Sequence, residues 1–444
     1  MSVKPPGSRW YNAVWRWHFY AALLCVPVVL WLATTGAIYT WKPQIEAWLD
    51  RPYDSLAVAP SVSADAQVSA ALAAVPGARL HKYQMPDAPG HAARVIVSEG
   101  GDQTRVYVDP ATARVLKTIG EEDQPMRIIS RLHGTLLAGD PGSYLVELAA
   151  CWAVVMILSG LYLWWPRGGA RLGGVVYPRL GGGKRLFWRD LHAVSGIWVS
   201  LLALGLILTG LPWAKAWGGY FKEVRAITGT ADGPVDWKIG AAPAGERTML
   251  GDHAEHAGMG MRHMTARPGE LDRVIATVIP LLIAPPVMIA PPAMATQAWT
   301  VTSDAADRPL RTQLTVDGTT GAVLTRRDFA QRHWVDRAVG YGIAAHEGAL
   351  FGLPNQVLGT VTAVLLVMLA VSGVVMWWRR RPTGLLRAPI PLSRPRFGVV
   401  LIAAVSVLGV LMPLFGASLV AVLLLDRVVL RRSFAGRWLG LRTV

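Results

Sequence analysis

The sequence predicts a membrane α-helical protein, with about six transmembrane helices in a duplicated, pseudo-symmetric core and two small external α+β modules. Three observations carry this. The 444 residues have a mean hydropathy of +0.34 and only 16% charged side chains, a membrane profile rather than a soluble one. A stretch running from a histidine into an apolar run occurs twice in register. Short alternating runs, separated by Gly, Asp and Pro turns, fill the two long polar connections.

A helix needs about 20 mostly apolar residues to cross a bilayer core. Such runs lie near 18–41, 143–165, 190–213 and 355–378, and 397–430 is long enough for two more with Pro413–Gly416 as the turn. The net charge of +15 invites a nucleic-acid reading, but its distribution argues against one. Residues 1–16, 166–189 and 379–396 carry basic residues and no acid, and five arginines follow Asp426. Segment 46–127 instead has eleven Asp/Glu against eight Lys/Arg. By the positive-inside rule the basic loops and both termini face the cytoplasm, and the connections near 42–130 and 214–340 lie outside. The first apolar run has no clean small-residue cleavage site before Tyr39 and Trp41, so it reads as a retained span.

These signals divide the chain into six parts. Residues 1–45 hold the N-terminus and first span, and 46–130 the first external module. Residues 131–213 hold a histidine motif, the second span, a basic loop and the third span. The second external module covers 214–340, a second histidine motif with the fourth span 341–380, and a basic loop with a terminal hairpin and tail 381–444.

The duplication fixes the candidate site. Counting from His133 and from His346, Leu137 and Leu350 fall at +4, Gly139 and Gly352 at +6, Pro141 and Pro354 at +8. Ser159-Gly160 and Ser372-Gly373 follow at +26 and +27, then Trp164-Trp165 and Trp377-Trp378 at +31 and +32. The inbound spans repeat as well. Thr35-Gly36 stands at +17 and +18 from His18, and Thr209-Gly210 at the same offsets from His192. The unit is therefore an entry helix, an external module and a return helix, used twice as parallel repeats. A Gly-x-Pro break stops one helix and lets another start. That places His133 and His346 on a short helix or loop at the outer leaflet, and His18 with His192 near the inner one.

An interfacial histidine commonly does no more than hydrogen-bond a carbonyl or a headgroup. Four in duplicated register shift the weight to ligation, since neutral imidazole is a standard axial ligand of haem iron. The two cysteines, Cys25 and Cys151, lie in predicted spans and form no CxxCH attachment motif, so any haem is held without thioether bonds. The Ser-Gly and Thr-Gly pairs serve close helix packing or make room for a flat macrocycle; the Trp-Trp pairs read as interface anchors. Glu147 is the one in-span acid available to a proton relay.

In the second module, runs 298–303, 311–318 and 322–327 echo 93–98, 104–110 and 114–119 in the first, and 63–75 is helix-prone. The apolar stretch 274–298 is interrupted by Pro280, Pro285, Pro286, Pro291 and Pro292, too often for a lipid-facing helix. The second module alone carries His253, His256, Met259, Met261, His263 and Met264. Thioethers with imidazoles suit copper, particularly Cu(I); a flexible polar loop or a substrate lid fits the same residues.

The constellation FWRDLHAVSGIW…LTG, the VDPATARVL and VDGTTGAVL strands and the His-x3-Leu-x-Gly-x-Pro return helices resemble the PepSY-associated transmembrane helix family, which includes PiuB-like iron-uptake proteins and FoxB-like siderophore reductases. The likeness covers about residues 10–380. It implies PepSY-like external modules and a b-haem core in a bacterial inner membrane, acting on ferric siderophore. Carried over, it makes His18, His192, His133 and His346 the axial ligands of two haems b, paired His18/His192 and His133/His346. Ala113 departs from the pattern where Gly321 keeps the glycine. With no Gly-rich dinucleotide fingerprint, electrons must come from quinol or a cytoplasmic flavoprotein. The internal repeat makes a monomer sufficient. Two alternatives from other classes stand beside this reading: a membrane-anchored PepSY regulatory or inhibitory protein without redox activity, and a periplasmic copper-handling protein.

Overall fold

The computed structural model describes residues 6–166, 172–181, 183–230, 267–293, 298–381, 386, 388, 398–430 and 438–439. Two matching halves build the core. In the first, α1 (Pro6–Thr40) packs along α5 (Gly139–Trp164), with α4 (Pro125–Thr135) across their outer ends. In the second, α6 (Gly183–Gly210) packs along α10 (Leu353–Trp378), with α9 (Trp334–His346) in the place of α4. Each inbound helix is followed by a short one, α2 (Lys42–Asp50) or α7 (Lys215–Ile227). The Gly-x-Pro breaks act as expected. Helix α4 ends before Leu136 and Leu137, both left-handed, and α5 restarts at Gly139; Gly352, at φ 57°, precedes α10 in the same way.

Among the described residues, five helices are long and apolar enough to cross a membrane: Arg9–Thr40, Gly139–Trp164, Gly183–Trp213, Leu353–Trp378 and Pro413–Leu430. Beside them stands one shorter apolar helix, in the place of one of the expected six. Stretch 397–430 gives α11 (Val399–Leu411), α12 (Pro413–Leu425) and a π-helical turn over Asp426–Leu430. At 13 residues α11 spans about 20 Å at 1.5 Å per residue, short of a bilayer core of about 30 Å. The break falls at Met412, one residue before Pro413. The hairpin docks on one flank of the core, where Cys151, Val154, Leu211, Met412 and Phe415 form a buried cluster. Trp152 Nε1 donates to Ser418 Oγ at 3.1 Å, and Trp217 Nε1 to the Leu411 carbonyl at 3.0 Å.

The two external modules are one body, a correction to the expected pair. Strands β1 (Arg79–Gln84), β2 (Ala93–Glu99), β3 (Asp102–Val108) and β4 (Val115–Gly120) join β5 (Val287–Ala290), β6 (Ala298–Ser303), β7 (Thr312–Asp317) and β8 (Val323–Asp328) in a single antiparallel sheet. Its order, β4-β3-β2-β1-β5-β6-β7-β8, reads the same from either edge. The seam is short, Tyr83 against Ile289 and Gln84 against Met288. Neither seam strand stands out in the sequence: Arg79–Gln84 alternates poorly, and β5 has four residues behind a Pro-Pro pair.

Helices α3 (Ala64–Ala74) and α8 (Glu270–Val278) share one core over this sheet, with Val68, Ala71, Val95, Val106, Val274, Trp299 and Leu314 all buried. They also cap one another. Asp272 Oδ1 accepts from Ala64 N at 2.6 Å, and Asp65 accepts from Gly269 N, so each helix start is satisfied by a carboxylate of the other. The proline-broken 274–298 stretch contains α8 and β5, so it is not a span. Beneath the sheet, Arg94 is 5% exposed and binds Asp50 and Asp54 at 3.2 and 2.7 Å, and the Tyr107 hydroxyl donates to Asp50. Burial, and then the Asp50 carboxylate, pushes the Tyr107 phenol up to about 12. This knot ties the end of α2 to the sheet.

Candidate functional site

The four repeated histidines meet in two pairs. His18 on α1 and His192 on α6 have ring centroids 6.4 Å apart; His133 on α4 and His346 on α9 are 6.3 Å apart. Their planes cross at 85° and 76°. Each pair takes one imidazole from each half, as the repeat predicts. His18 lies 17 residues along α1 from Thr35, which touches His133. At 1.5 Å per residue the two levels are therefore about 26 Å apart along the helix.

All four imidazoles are seated by the same local device. His18 Nδ1 lies 3.0 Å from the Met156 carbonyl and 3.1 Å from Ser159 Oγ; His192 Nδ1 lies 3.0 Å from the Leu369 carbonyl and 3.2 Å from Ser372 Oγ. In the outer pair, His133 Nδ1 is 3.1 Å from Thr35 Oγ1, and His346 Nδ1 is 3.0 Å from Thr209 Oγ1. The next residue is glycine every time: Gly160, Gly373, Gly36 and Gly210. A Cβ at any of them would stand 3.0 to 3.3 Å from the imidazole Cε1. The Ser-Gly and Thr-Gly pairs thus seat histidines, which neither helix packing nor macrocycle clearance describes. The hydroxyl orients the ring and the glycine lets it lie on the helix backbone.

This network fixes the tautomer. Ser159 Oγ donates to the Met156 carbonyl, Ser372 Oγ to Leu369, and Thr35 and Thr209 to carbonyls of their own helices. With its proton spent, each hydroxyl presents a lone pair, so Nδ1–H is the donor and Nε2 keeps a free lone pair. Burial holds His133 at about 4, against the opposing pull of the Leu32 carbonyl. Burial and then the neighbouring His133 lower His346 to about 4, so the outer rings are neutral at pH 7.

Two neutral imidazoles protonated at Nδ1 have the chemistry to share one metal ion through Nε2. Taking about 2.0 Å for a metal–imidazole bond and about 1.1 Å from nitrogen to ring centroid, two rings sharing one ion stand about 6.2 Å apart. Both pairs match that spacing. Among the described residues no group of three or more His, Cys, Asp or Glu could hold a metal ion, so each pair offers two protein ligands. Space for further ligands exists. A cavity of about 2270 Å³ reaches all four histidines, and small side chains such as Ala33, Ala153, Ala203, Ala363 and Ala370 line it between the two levels.

Other expectations resolve as follows. Glu147 accepts from Ala216 N at 2.9 Å and Trp217 N at 3.1 Å, so it caps the start of α7. Its repeat counterpart, Thr360, receives Trp41 Nε1 at 3.0 Å. Trp164 and Trp377 donate to the Val175 and Leu386 carbonyls, pinning the loops beyond their helices, while Trp165 and Trp378 are exposed. His333 caps α9 by accepting from Val335 N. Ala113 keeps the turn it shares with Gly321, at φ 56°. The residues His253, His256, Met259, Met261, His263 and Met264 lie outside the described residues. Sequence reasoning missed the carbonyl three residues before each seating hydroxyl and the cations at the cavity ends; the i−3 spacing is implicit in any helix, but nothing marks which carbonyl is used.

The fold and site define a class: a duplicated membrane bundle under a shared antiparallel sheet, with two cross-half histidine pairs. The chain belongs to the family described as PepSY-associated TM region, whose pattern matches residues 15–380. No curated protein matches it.

Proposed function

We propose that this protein is a di-haem b-type reductase of a bacterial inner membrane, passing electrons outward to reduce a ferric siderophore and release Fe(II). The observation that carries the proposal is the double histidine pair, each ring held through Nδ1 and spaced for one shared ion. Haem held by these histidines would supply the remaining iron ligands and one-electron redox chemistry. His18 with His192 forms the inner seat and His133 with His346 the outer one. The Ser and Thr hydroxyls keep the rings in the ligating tautomer, and small apolar side chains line the cavity between the levels.

Orientation follows from charge. The loops at the His18/His192 end are basic, which favours the cytoplasmic side, and the sheet then lies in the periplasm. Quinol or a cytoplasmic flavoprotein would then deliver electrons at the His18/His192 end, and substrate would take them at the His133/His346 end, under the sheet. Ferric-specific chelators hold Fe(II) weakly, so one-electron reduction of the chelated iron is also its release.

Purified protein from haem-replete cells is expected to show a reduced-minus-oxidised b-type spectrum with about two haems per chain, one for each histidine pair. His133→Ala and His346→Ala remove the same haem, and His18→Ala and His192→Ala the other. Colourless wild-type protein would falsify the proposal.

A further inference from the structure

The charged lining of the large cavity is segregated. At the outer level, Lys42, Arg127, Arg131, Arg308 and Arg311 face it together with Glu122, Asp304 and Glu347; Glu122 holds Arg127 and Arg131 at 2.9 and 3.6 Å, Glu46 lies 3.9 Å from Lys42, and Arg311 Nε donates to the Ala305 carbonyl. At the inner level, Arg185, Arg189, Arg379 and Arg380 face it with no carboxylate among the lining residues. Arg189 is held by Asp190 at 2.7 Å. Between the levels, Glu147 is the one charged lining side chain, and it is committed to α7.

The positions are close to the histidines along the chain. Arg131 is two residues before His133 on α4. Arg308 sits in the turn Arg308–Leu310, which packs on α9, the helix of His346. Arg379 and Arg380 follow Gly373, the seat of His192, by six and seven residues. Arg308 is only 6% exposed, so its guanidinium addresses the cavity wall rather than lipid headgroups or bulk solvent. The repeat does not explain these cations. The counterparts of Arg127 and Arg131 in α9 are Gly340 and Ala344, and Arg308 with Arg311 lies in a β6–β7 connection that is longer than the β2–β3 turn. Two unrelated segments have placed positive charge at the same end of one cavity.

We infer that the two cationic ends are carboxylate-binding sites for the acidic side groups of the macrocycles, one dianionic ligand directed to each mouth. The inference rests on the haem reading. Guanidinium–carboxylate hydrogen bonds are the strong, charge-assisted kind; Arg308 would make them buried, Arg379 and Arg380 at an exposed mouth. They set which edge of each macrocycle faces the aqueous side and raise its occupancy.

The test supplies apoprotein, in membranes of haem-deficient cells, with haem b or with its dimethyl ester, which keeps the iron and loses both charges. Bonds to charged groups contribute about 1.5–3 kcal/mol, and 1.4 kcal/mol is tenfold in affinity, so wild type is expected to prefer the free acid at least tenfold. Arg308→Gln with Arg311→Gln removes the preference at the outer site only, and Arg379→Gln with Arg380→Gln at the inner site only, each read from its own b-type band. Equal uptake of acid and ester by wild type overturns this inference and leaves the haem reading standing. Uptake of neither overturns both. Should a double variant fail to accumulate, the wild-type comparison alone decides.

Discussion

His18 rests against Gly160: a Cβ built on that glycine would stand 3.1 Å from the imidazole Cε1. The contact recurs between His192 and Gly373, His133 and Gly36, and His346 and Gly210. A glycine inside a membrane helix forfeits about 1 kcal/mol of helix propensity relative to alanine, and here that forfeit secures a ring position four times.

Gly160→Ala is therefore expected to displace His18 by a few tenths of an ångström. Overpacking of this kind costs about 1–3 kcal/mol. Haem content should fall from two per chain toward one, with the inner spectral component lost and the outer retained. Gly205→Ala is the control: on α6, an added methyl there meets nothing within 4 Å beyond its own helix backbone, so both components should stay unchanged.

Ser159→Ala removes the hydroxyl that accepts from His18 Nδ1 and leaves the Met156 carbonyl in place. A neutral hydrogen bond contributes about 0.5–1.5 kcal/mol, so the haem should stay bound. Weakening the Nδ1–H bond makes the ligand less basic, which favours the ferrous state. Redox titration should find the inner potential raised and the outer one unmoved; a shift in both, or a fall in the inner one, contradicts this assignment.

Ala113 and Gly321 occupy equivalent turns at φ 56° and 77°. Left-handed backbone costs an alanine about 1–2 kcal/mol, part of which is offset by the extra freedom glycine brings to the unfolded chain. Ala113→Gly is expected to stabilise the external sheet by about 0.5–1 kcal/mol. The reverse change, Gly321→Ala, meets Thr277 Oγ1 at 3.0 Å and should destabilise it. Thermal unfolding of the full chain in detergent separates the two signs.

The reciprocal caps give a further test. Asp65→Ala and Asp272→Ala each remove one carboxylate from the start of the other module's helix, at a cost of about 1 kcal/mol apiece. The effect should appear in protease sensitivity of both modules at once, since each aspartate serves the opposite half. Loosening confined to the mutated module would refute the cross-capping.

Much of this was legible in the sequence for one physical reason: repetition. The histidines, their Ser-Gly and Thr-Gly partners, the Gly-x-Pro breaks and the outer strands of both modules each appear twice at fixed offsets, which also pairs His18 with His192 and His133 with His346. Features used once were opaque. Strands β1 and β5 join across the module boundary by two residue pairs, and backbone hydrogen bonding leaves no compositional trace at such a seam. In 397–430 the turn at Pro413 was legible, but hydropathy did not show that the helix before it, α11, has only 13 residues. The role of the Ser-Gly and Thr-Gly pairs needed three dimensions, because each seats a histidine from a different helix.

The palindromic sheet has an evolutionary corollary. Strand β1 of the first half lies antiparallel to its own counterpart, β5, and each imidazole pair likewise joins a residue to its own counterpart. A surface that pairs with its own equivalent about a twofold axis is self-complementary. A gene encoding one half alone would thus yield a protein that closes its exposed strand edge, and completes both histidine pairs, by meeting a second copy of itself. In the single chain the halves are free to differ: Arg127 and Arg131 stand in the first, Arg308, Arg311 and the longer β6–β7 connection in the second, and the terminal hairpin follows it.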